Sequence, residues 1–521
     1  MNKRFHLVVG VIVASTLSGI HCAQQGHVAS YCTSSLDCTG GGSCVNNQCS
    51  IGTGDGGGGG DGGGGGGDGG CVNLQCNQVT CPGGGTTSIT GTVWDPSGQV
   101  PIYNALVYVP NGQVSPFRPG VSCDRCDAVT SGSPLVVGLS GSDGRFNLRN
   151  VPVVPDGGTI PLVIQVGRWR RQVAIPGVPA CTSTPIINVN STRLPRNRSE
   201  GDIPQMAIAT GNADPFECLL LKMGISTSEF TSPGGGGRVH YYVANGRDTS
   251  PPAPRASALW SDAGTLMNYD VVLLPCEGQE LRKPANAAQN IVNYTSAGGR
   301  MFTTHYGYTW LAFPENNPFP STGVWQIPDQ CDSYGTPLTV AVDQSFPKGA
   351  SFSQWLMNVG SSTDAGFLDL IESRHDLLYT DGGSQQWLST NIASCPGNPP
   401  AVEHMTFNTP LNPPPLPDGG PGLQCGRAVF SDFHVSASAL DPDGGSTFPG
   451  ACRSGTLSAQ EKALLFMLLD VSSCIQSDNP TCSTLAQSCS SSTPCCAPLN
   501  CVDPVGQACG SSSGCTCQGL R

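Results

Sequence analysis

Apolar positions change their spacing along the chain, and each spacing predicts a different kind of element. Leu7 to Leu17 is a short apolar run behind Lys3 and Arg4. It is too short for a mature membrane helix and has the layout of a secretory signal over residues 1–22. Residues 32–49 hold almost no apolar side chains. From Ser88 to Trp94 and from Ala105 to Val109 apolar residues alternate with small or polar ones, the period of half-buried strands, with a turn at Asp95-Pro96-Ser97-Gly98 between them. Ser142-Asp143-Gly144-Arg145 turns into the strand FNLRNVP, and Leu162 to Val166 with Arg171 to Ile175 reads as a further strand pair. Beyond Ser199-Glu200-Gly201-Asp202 the pattern changes to continuous apolar strands separated by helical spacing. MAIAT (206–210), residues 239–243, VVLLP (271–275) and residues 300–304 read as strands. Asp214-Pro215 opens a helix through Met223, Ala256 to Met267 reads as a second, and Pro284 to Ala297 as a third that stops at Gly298-Gly299. This alternation predicts a parallel, doubly wound sheet, whose ligands bind beyond the carboxyl ends of its strands. Ser458 to Cys474 reads as a closing amphipathic helix with a Ser458/Glu461 capping box.

Composition narrows the class. The 521 residues include 69 glycines and 43 prolines, about a fifth of the chain against a norm of about 12%. Only 12% of residues are charged, about half the usual fraction. These values exclude a coiled coil, a long helical bundle and a cytosolic enzyme of ordinary make-up, while 38% hydrophobic residues still suffice for cores. A formal charge of −12 offers nucleic acid or an anionic membrane no attraction. Twenty-six cysteines in clusters point to an oxidising compartment.

The cysteines also mark the modules. Gly19-Ile20-His21-Cys22 resembles a bacterial lipobox, which implies lipidation of Cys22; cleavage by signal peptidase near Ala23 is the other reading. Cys32, Cys38, Cys44 and Cys49 lie in a segment that cannot form a core, so disulfides are expected to order it. Gly52 to Gly70, broken by Asp55, Asp61 and Asp68, is a flexible spacer. Cys123 and Cys126 sit between strands and are expected to staple a loop. Arg168, Trp169, Arg170 and Arg171 read either as a platform for an anionic partner or glycan or as a solvated strand face. Residues 313–425 form a proline-rich insertion with Cys331, Cys395 and Cys425, in which Trp325, Trp355 and Trp387 either line a sugar-binding surface or fill a core.

Three segments carry resemblances. ITGTVWDPSG, NALVYV and GSDGRFNLRNVP resemble the carboxypeptidase regulatory-like domain, a small transthyretin-like β-sandwich, which implies an accessory or adhesive module. The order YDVVLLPCEG, helix, AGGRMFTTHYGYTWL resembles the class I glutamine amidotransferase-like fold, including its ThuA-like branch. Aligned on Gly307, the place of the family's nucleophilic cysteine is taken by His305. The late strand RAVFSDF, followed by His434, resembles the closing strand of the ThuA-like branch, which brings a histidine to the sheet edge. Cys482, Cys489, Cys495, Cys496, Cys501, Cys509, Cys515 and Cys517 resemble a knottin, and the resemblance implies Cys482–Cys496 and Cys489–Cys501 pairs, with Cys495 reaching a later cysteine.

The expected fold class is therefore multidomain: an all-β sandwich, then a doubly wound, flavodoxin-like and amidotransferase-like α/β domain, with small disulfide-rich segments at both ends. The boundaries are a signal at 1–22, a disulfide-rich microdomain at 23–50, a spacer at 51–70, the sandwich at 71–195, the α/β domain at 200–476 with its insertion at 313–425, and the cysteine-rich tail at 480–521. The candidate catalytic residues are His305, His434, Glu277 and Asp432, with His404 a further candidate nearby. Two imidazoles with carboxylates suit a metal-held water or general acid–base chemistry. Cys276 is read as a conceivable nucleophile, with burial or a disulfide the plainer account. The leading expectation is an exported protein, either an outer-membrane or cell-surface lipoprotein or freely secreted. It binds a cell-wall, glycan or protein partner, with a catalytically degenerate α/β domain, no nucleic-acid partner and no membrane contact beyond a lipid anchor. The alternative is an extracellular hydrolase or metal-dependent enzyme centred on His305 and His434. No organic cofactor is expected, and a metal ion belongs to that alternative.

Overall fold

The computed structural model describes residues 43–45, 48–50 and 71–518, the last range without 127–129, 246–251, 315–316, 329–336, 418–421, 436–439, 441–446, 479–481, 484–485, 491–492, 496–498, 504–507 and 510–513. The signal, Cys22, Cys32, Cys38, the Gly/Asp spacer, Cys331 and Cys496 lie outside the described residues. Strands β1 (Ser43–Val45) and β2 (Gln48–Ser50) form an antiparallel hairpin that sets Cys44 opposite Cys49. They belong to a unit separate from residues 69–519, which cluster together.

The alternating segments fold as predicted from their period of two. In chain order the strands are β3 (Ser88–Thr92), β4 (Leu106–Pro110), β5 (Pro134–Leu139), β6 (Arg145–Arg149), β7 (Thr159–Val166), β8 (Trp169–Pro176) and β9 (Ser183–Pro185). They form a three-stranded sheet β6-β3-β9 and a four-stranded sheet β5-β4-β7-β8. In β6 the alternation is complete: Phe146 and Leu148 are buried, and the three arginine and asparagine side chains between and beside them are exposed. Ile89 and Leu148 of one sheet share a core with Val107 and Ile164 of the other. Cys81–Cys181 closes this unit.

The α/β part continues with β10 (Met206–Thr210), α1 (Phe216–Lys222), β11 (Phe230–Thr231), β12 (Val239–Val243), α2 (Ser257–Trp260), α3 (Ala263–Leu266), β13 (Val271–Leu274), α4 (Ala285–Ser296) and β14 (Arg300–Thr304). The insertion supplies β15 (Gly323–Trp325), β16 (Leu338–Val342), α5 (Pro347–Asn358), β17 (Phe367–Leu370), β18 (Leu377–Thr380), β19 (Gln385–Asn391) and β20 (Pro400–Thr409). Then come β21 (Gly426–Ser431), α6 (Ala459–Ser472) and, in the tail, β22 (Asn500–Val502) and β23 (Thr516–Gln518).

The sheet runs β11-β12-β10-β13-β14-β21-β20-β19-β16-β17. Its first six strands are parallel, and the remaining four are antiparallel to their neighbours. The sheet is thus mixed, and the expected doubly wound arrangement holds for its first part only. The parallel strands read as unbroken apolar runs because they are buried on both faces. Met206, Ile208, Val271, Leu273 and Phe302 face one core, shared with α1, α6 and the β-sandwich. Ala207, Ala209, Val272, Leu274 and Met301 face the other, with α2, α3 and α4. Trp355 and Trp387 are buried in the first of these cores, and the Trp355 indole donates to the Pro101 carbonyl of the sandwich at 2.8 Å. The sandwich and the α/β part therefore share one core.

Two helices depart from their expected form. The segment 256–267 breaks into α2 and α3, because the Asp262 carboxylate caps the amides of Gly264 and Thr265. Helix α6 has its capping box, yet it is buried on nearly every side, held between the sheet and the sandwich, and is not amphipathic. Cys123 and Cys126 bond not to each other but to Cys425 and Cys474, joining the sandwich's insertion to the sheet. In the tail, Cys489 pairs with Cys501, Cys495 with Cys517 and Cys509 with Cys515, and Cys482 is disulfide-bonded as well. No helix among the described residues is long and apolar enough to cross a membrane.

Candidate functional site

Strands β10, β13, β14 and β21 are neighbours and parallel, so their carboxyl ends meet at one edge of the sheet. The segments that follow them carry Asp214, Cys276, His305 and His434. Cys276 comes two residues after β13. His305 follows β14 directly and starts a 3-10 turn, His305–Trp310, with φ +33, a backbone conformation uncommon for a residue with a side chain. Close approach sets two glycines here. A Cβ on Gly211 would lie 2.2 Å from the Cys276 carbonyl oxygen, and one on Gly307 would lie 1.7 Å from the Thr303 hydroxyl.

Cys276 is the free cysteine among the described residues, and it is wholly buried. Its sulfur lies 3.3 Å from His305 Nδ1 and also hydrogen-bonds His434. The two imidazole centroids are 4.8 Å apart, and the ligand atoms of Cys276, His305 and His434 all fall within 4.8 Å of one another. Each imidazole has a carboxylate on its other side. His434 Nδ1 donates to Asp214 Oδ1 at 3.1 Å, and His305 Nε2 is 3.5 Å from Asp376 Oδ2. Asp214 also accepts from the amides of Val435 at 2.7 Å and Cys276 at 3.3 Å, and from the Thr304 hydroxyl. One carboxylate thereby ties together the carboxyl ends of four strands. The Gly278 amide donates to the Cys276 sulfur at 3.4 Å.

The two histidines differ electrostatically. Burial, reinforced by the charges of His434 and Arg374, lowers the His305 pKa to about 2, so this ring is neutral. Burial also opposes charge on His434, but the Asp214 carboxylate and the contact with Cys276 outweigh it and raise its pKa well above the ordinary value. The cluster is closed: His305 and His434 are each 4% exposed, and Tyr306 packs on the His305 ring at 3.9 Å.

Of the four candidates read from the sequence, His305 and His434 come together, and Glu277 and Asp432 do not join them. Glu277 pairs with Lys283 and accepts from the Asn245 amide, because Lys283 is held beside it over Trp260 and Trp310. Asp432 accepts from the amides of Asp376 and Leu377 at 2.7 and 3.3 Å, so it places Asp376 and does not itself face the imidazoles. Burial and the neighbouring carboxylates of Asp376 and Glu403 push the Asp432 pKa well above the carboxylate range. His404, on β20, is bonded to the Ser431 hydroxyl at 2.7 Å among the rings of Phe302, Trp387 and Phe433. Sequence reading missed Asp214, taken as a helix opener, and Asp376. The available signal was Cys276, a cysteine outside every cysteine cluster.

A second concavity lies elsewhere. A cavity of about 510 Å³ is bounded by β4, β5, β7, the segment 115–126 and the residues after α6. Arg168 and Arg170 of its wall are buried and paired inward, Arg168 with Asp124 and Asp270, Arg170 with Asp202 and over the Phe117 ring. They form neither a solvated face nor an open platform, and Trp169 between them is wholly buried in the core. Gln165 also lines the cavity, its Oε1 buried and without a donor among the described residues, and Arg118 is exposed at the rim.

No family model matches the chain, and no curated protein matches it. Among solved structures it is similar to a protein described as ThuA-like from Bacteroides uniformis, at 12% identity and a TM-score of 0.24, covering 44% of this chain and 82% of that one. A second, also described as ThuA-like and from Parabacteroides merdae, gives 11% identity and a TM-score of 0.27 over 51% of this chain and 88% of that one.

Proposed function

We propose that this is an exported binding protein that takes an acidic glycan into the cavity beside β7, with an α/β part that has lost turnover. The observation that carries the reading is the cavity itself. Its size suits a sugar unit or two. Arg118 offers a carboxylate partner at the rim. The inward-paired arginines hold the wall in shape, so the site is organised before a ligand arrives. Export is supported by disulfides throughout the described chain, a bonding state that reducing compartments do not sustain. Loss of turnover is supported by the closed strand-end cluster: a substrate has no route to a sulfur that is 0% exposed.

The test is titration of the full exported chain with oligogalacturonate and with neutral dextran. The expected outcome is saturable binding of the acidic glycan alone, weakened at least tenfold by Arg118→Glu. Binding of neither glycan, or equal binding by the Arg118→Glu variant, overturns the reading.

A further inference from the structure

We infer that Cys276, His305 and His434 form a binding site for a first-row transition metal ion of the zinc type, enclosed at the strand ends. This is independent of the glycan cavity. Three buried groups face one another at this edge of the sheet. His434 commits Nδ1 to Asp214, and His305 turns Nε2 towards Asp376. With each far nitrogen turned to a carboxylate, the near nitrogens of both rings face one sulfur. A cation that displaces the protons of this cluster accepts from the sulfur and both nitrogens at once.

Distances agree with that assignment. With a metal–sulfur bond of ~2.3 Å and metal–nitrogen bonds of ~2.0–2.1 Å, tetrahedral ligands sit about 3.3–3.6 Å apart. The sulfur-to-Nδ1 separation of 3.3 Å falls in that range, and the three ligand atoms, all within 4.8 Å of one another, need draw together by little more than about an ångström around an ion. The surroundings are those of a metal centre as well. Carboxylates behind ligating imidazoles fix the ring orientation and raise the basicity of the near nitrogen. The Gly278 amide donates to the sulfur at 3.4 Å and fixes where it sits. A thiolate with two imidazoles selects zinc or copper over calcium or magnesium, whose preferred ligands are oxygens. The enclosure that shuts out a substrate keeps the ion in place.

The experiment uses the full chain. It is purified from medium containing zinc, dialysed against metal-free buffer and assayed for bound metal. It is then stripped and refilled with cobalt(II), which reports a cysteine ligand through thiolate-to-cobalt charge transfer in the near ultraviolet. About one ion per chain is expected, with a charge-transfer band that disappears in Cys276→Ser, and X-ray absorption showing one sulfur and two imidazole ligands. If Cys276→Ser does not fold, X-ray absorption of the wild-type chain decides alone. The inference is overturned if less than about a tenth of an ion is retained and cobalt gives no thiolate band, if the band persists in folded Cys276→Ser, or if the ligand set lacks two imidazoles.

Discussion

Single residues in this protein act through partners far away in sequence. Asp214 and His434 are separated by 220 positions and meet at 3.1 Å. That is why Asp214 reads as a helix opener: Asp-Pro before an apolar run is a local signal, and its long-range bonds leave no local trace. Cys276 could be singled out, but its freedom from a disulfide depends on which other cysteines find each other. His404 shows how burial at this scale becomes a dependence on pH. Burial, with the Arg427 charge acting the same way and Asp470 opposing, lowers its pKa to about 3, against ~6.5 in an unfolded chain. Below pH ~6.5 the unfolded chain takes up a proton that the folded one refuses, so stability is lost as pH falls from there towards about 3. Its contribution to the slope is about 1.4 kcal/mol per pH unit. His404→Gln should flatten the decline by that amount when denaturation midpoints are compared between pH 6.5 and 4.5. Parallel curves for the two proteins would sink this account.

At the level of elements, legibility follows the range of the forces that fix each one. Strands β10, β13 and β14 could be read because two-sided burial leaves an uninterrupted apolar run, and the sandwich strands because one-sided burial leaves an alternation. The antiparallel half of the sheet could not. Its strands come from a proline-rich segment and owe their places to pairing partners such as β21, which follows only after the insertion ends. Helix α6 was legible at its start, where the capping box is local, and misread along its length, where a second layer covers what would have been its polar face. That start is also tied to the end of α1: Lys222 Nζ meets Glu461 Oε1 at 2.7 Å, with the Glu461 side chain wholly buried. Removing only the cation leaves a buried charge unpaired, which costs about 3–5 kcal/mol, whereas removing both charges costs far less. Lys222→Met should therefore destabilise strongly, and Lys222→Met with Glu461→Gln should recover most of the loss, since glutamine still serves the capping box. Chemical denaturation of the three chains measures this. Equal stability of the single and double variants would show that the pair carries no such charge penalty.

For the whole molecule, the question is what keeps a sandwich and a mixed sheet as one body. The shared core contributes, and so does the segment 123–126, which reaches from the sandwich to two distant points of the α/β part. Cys123–Cys425 spans 302 positions and Cys126–Cys474 spans 348. Between them the backbone is also docked, with the Cys126 amide donating to the Ile475 carbonyl at 3.0 Å and the Ile475 amide to Asp124 at 2.8 Å. The two loops overlap almost entirely, and this has a measurable consequence. With one crosslink in place the other closes a loop of only about 50 residues, so losing either pair alone costs about 4 kcal/mol in the chain-entropy account. Losing both also opens a loop that Cys218–Cys452 still limits to roughly 110 residues, and the cost should exceed the sum of the single losses by about 0.7 kcal/mol. Serine replacements of each pair and of both, compared by denaturant midpoint under non-reducing conditions, give the three numbers. Strict additivity would mean that the crosslinks act through native contacts alone and not by limiting the unfolded chain. The doubly opened protein should also lose binding in the glycan titration, because Cys123 and Cys126 belong to the cavity wall.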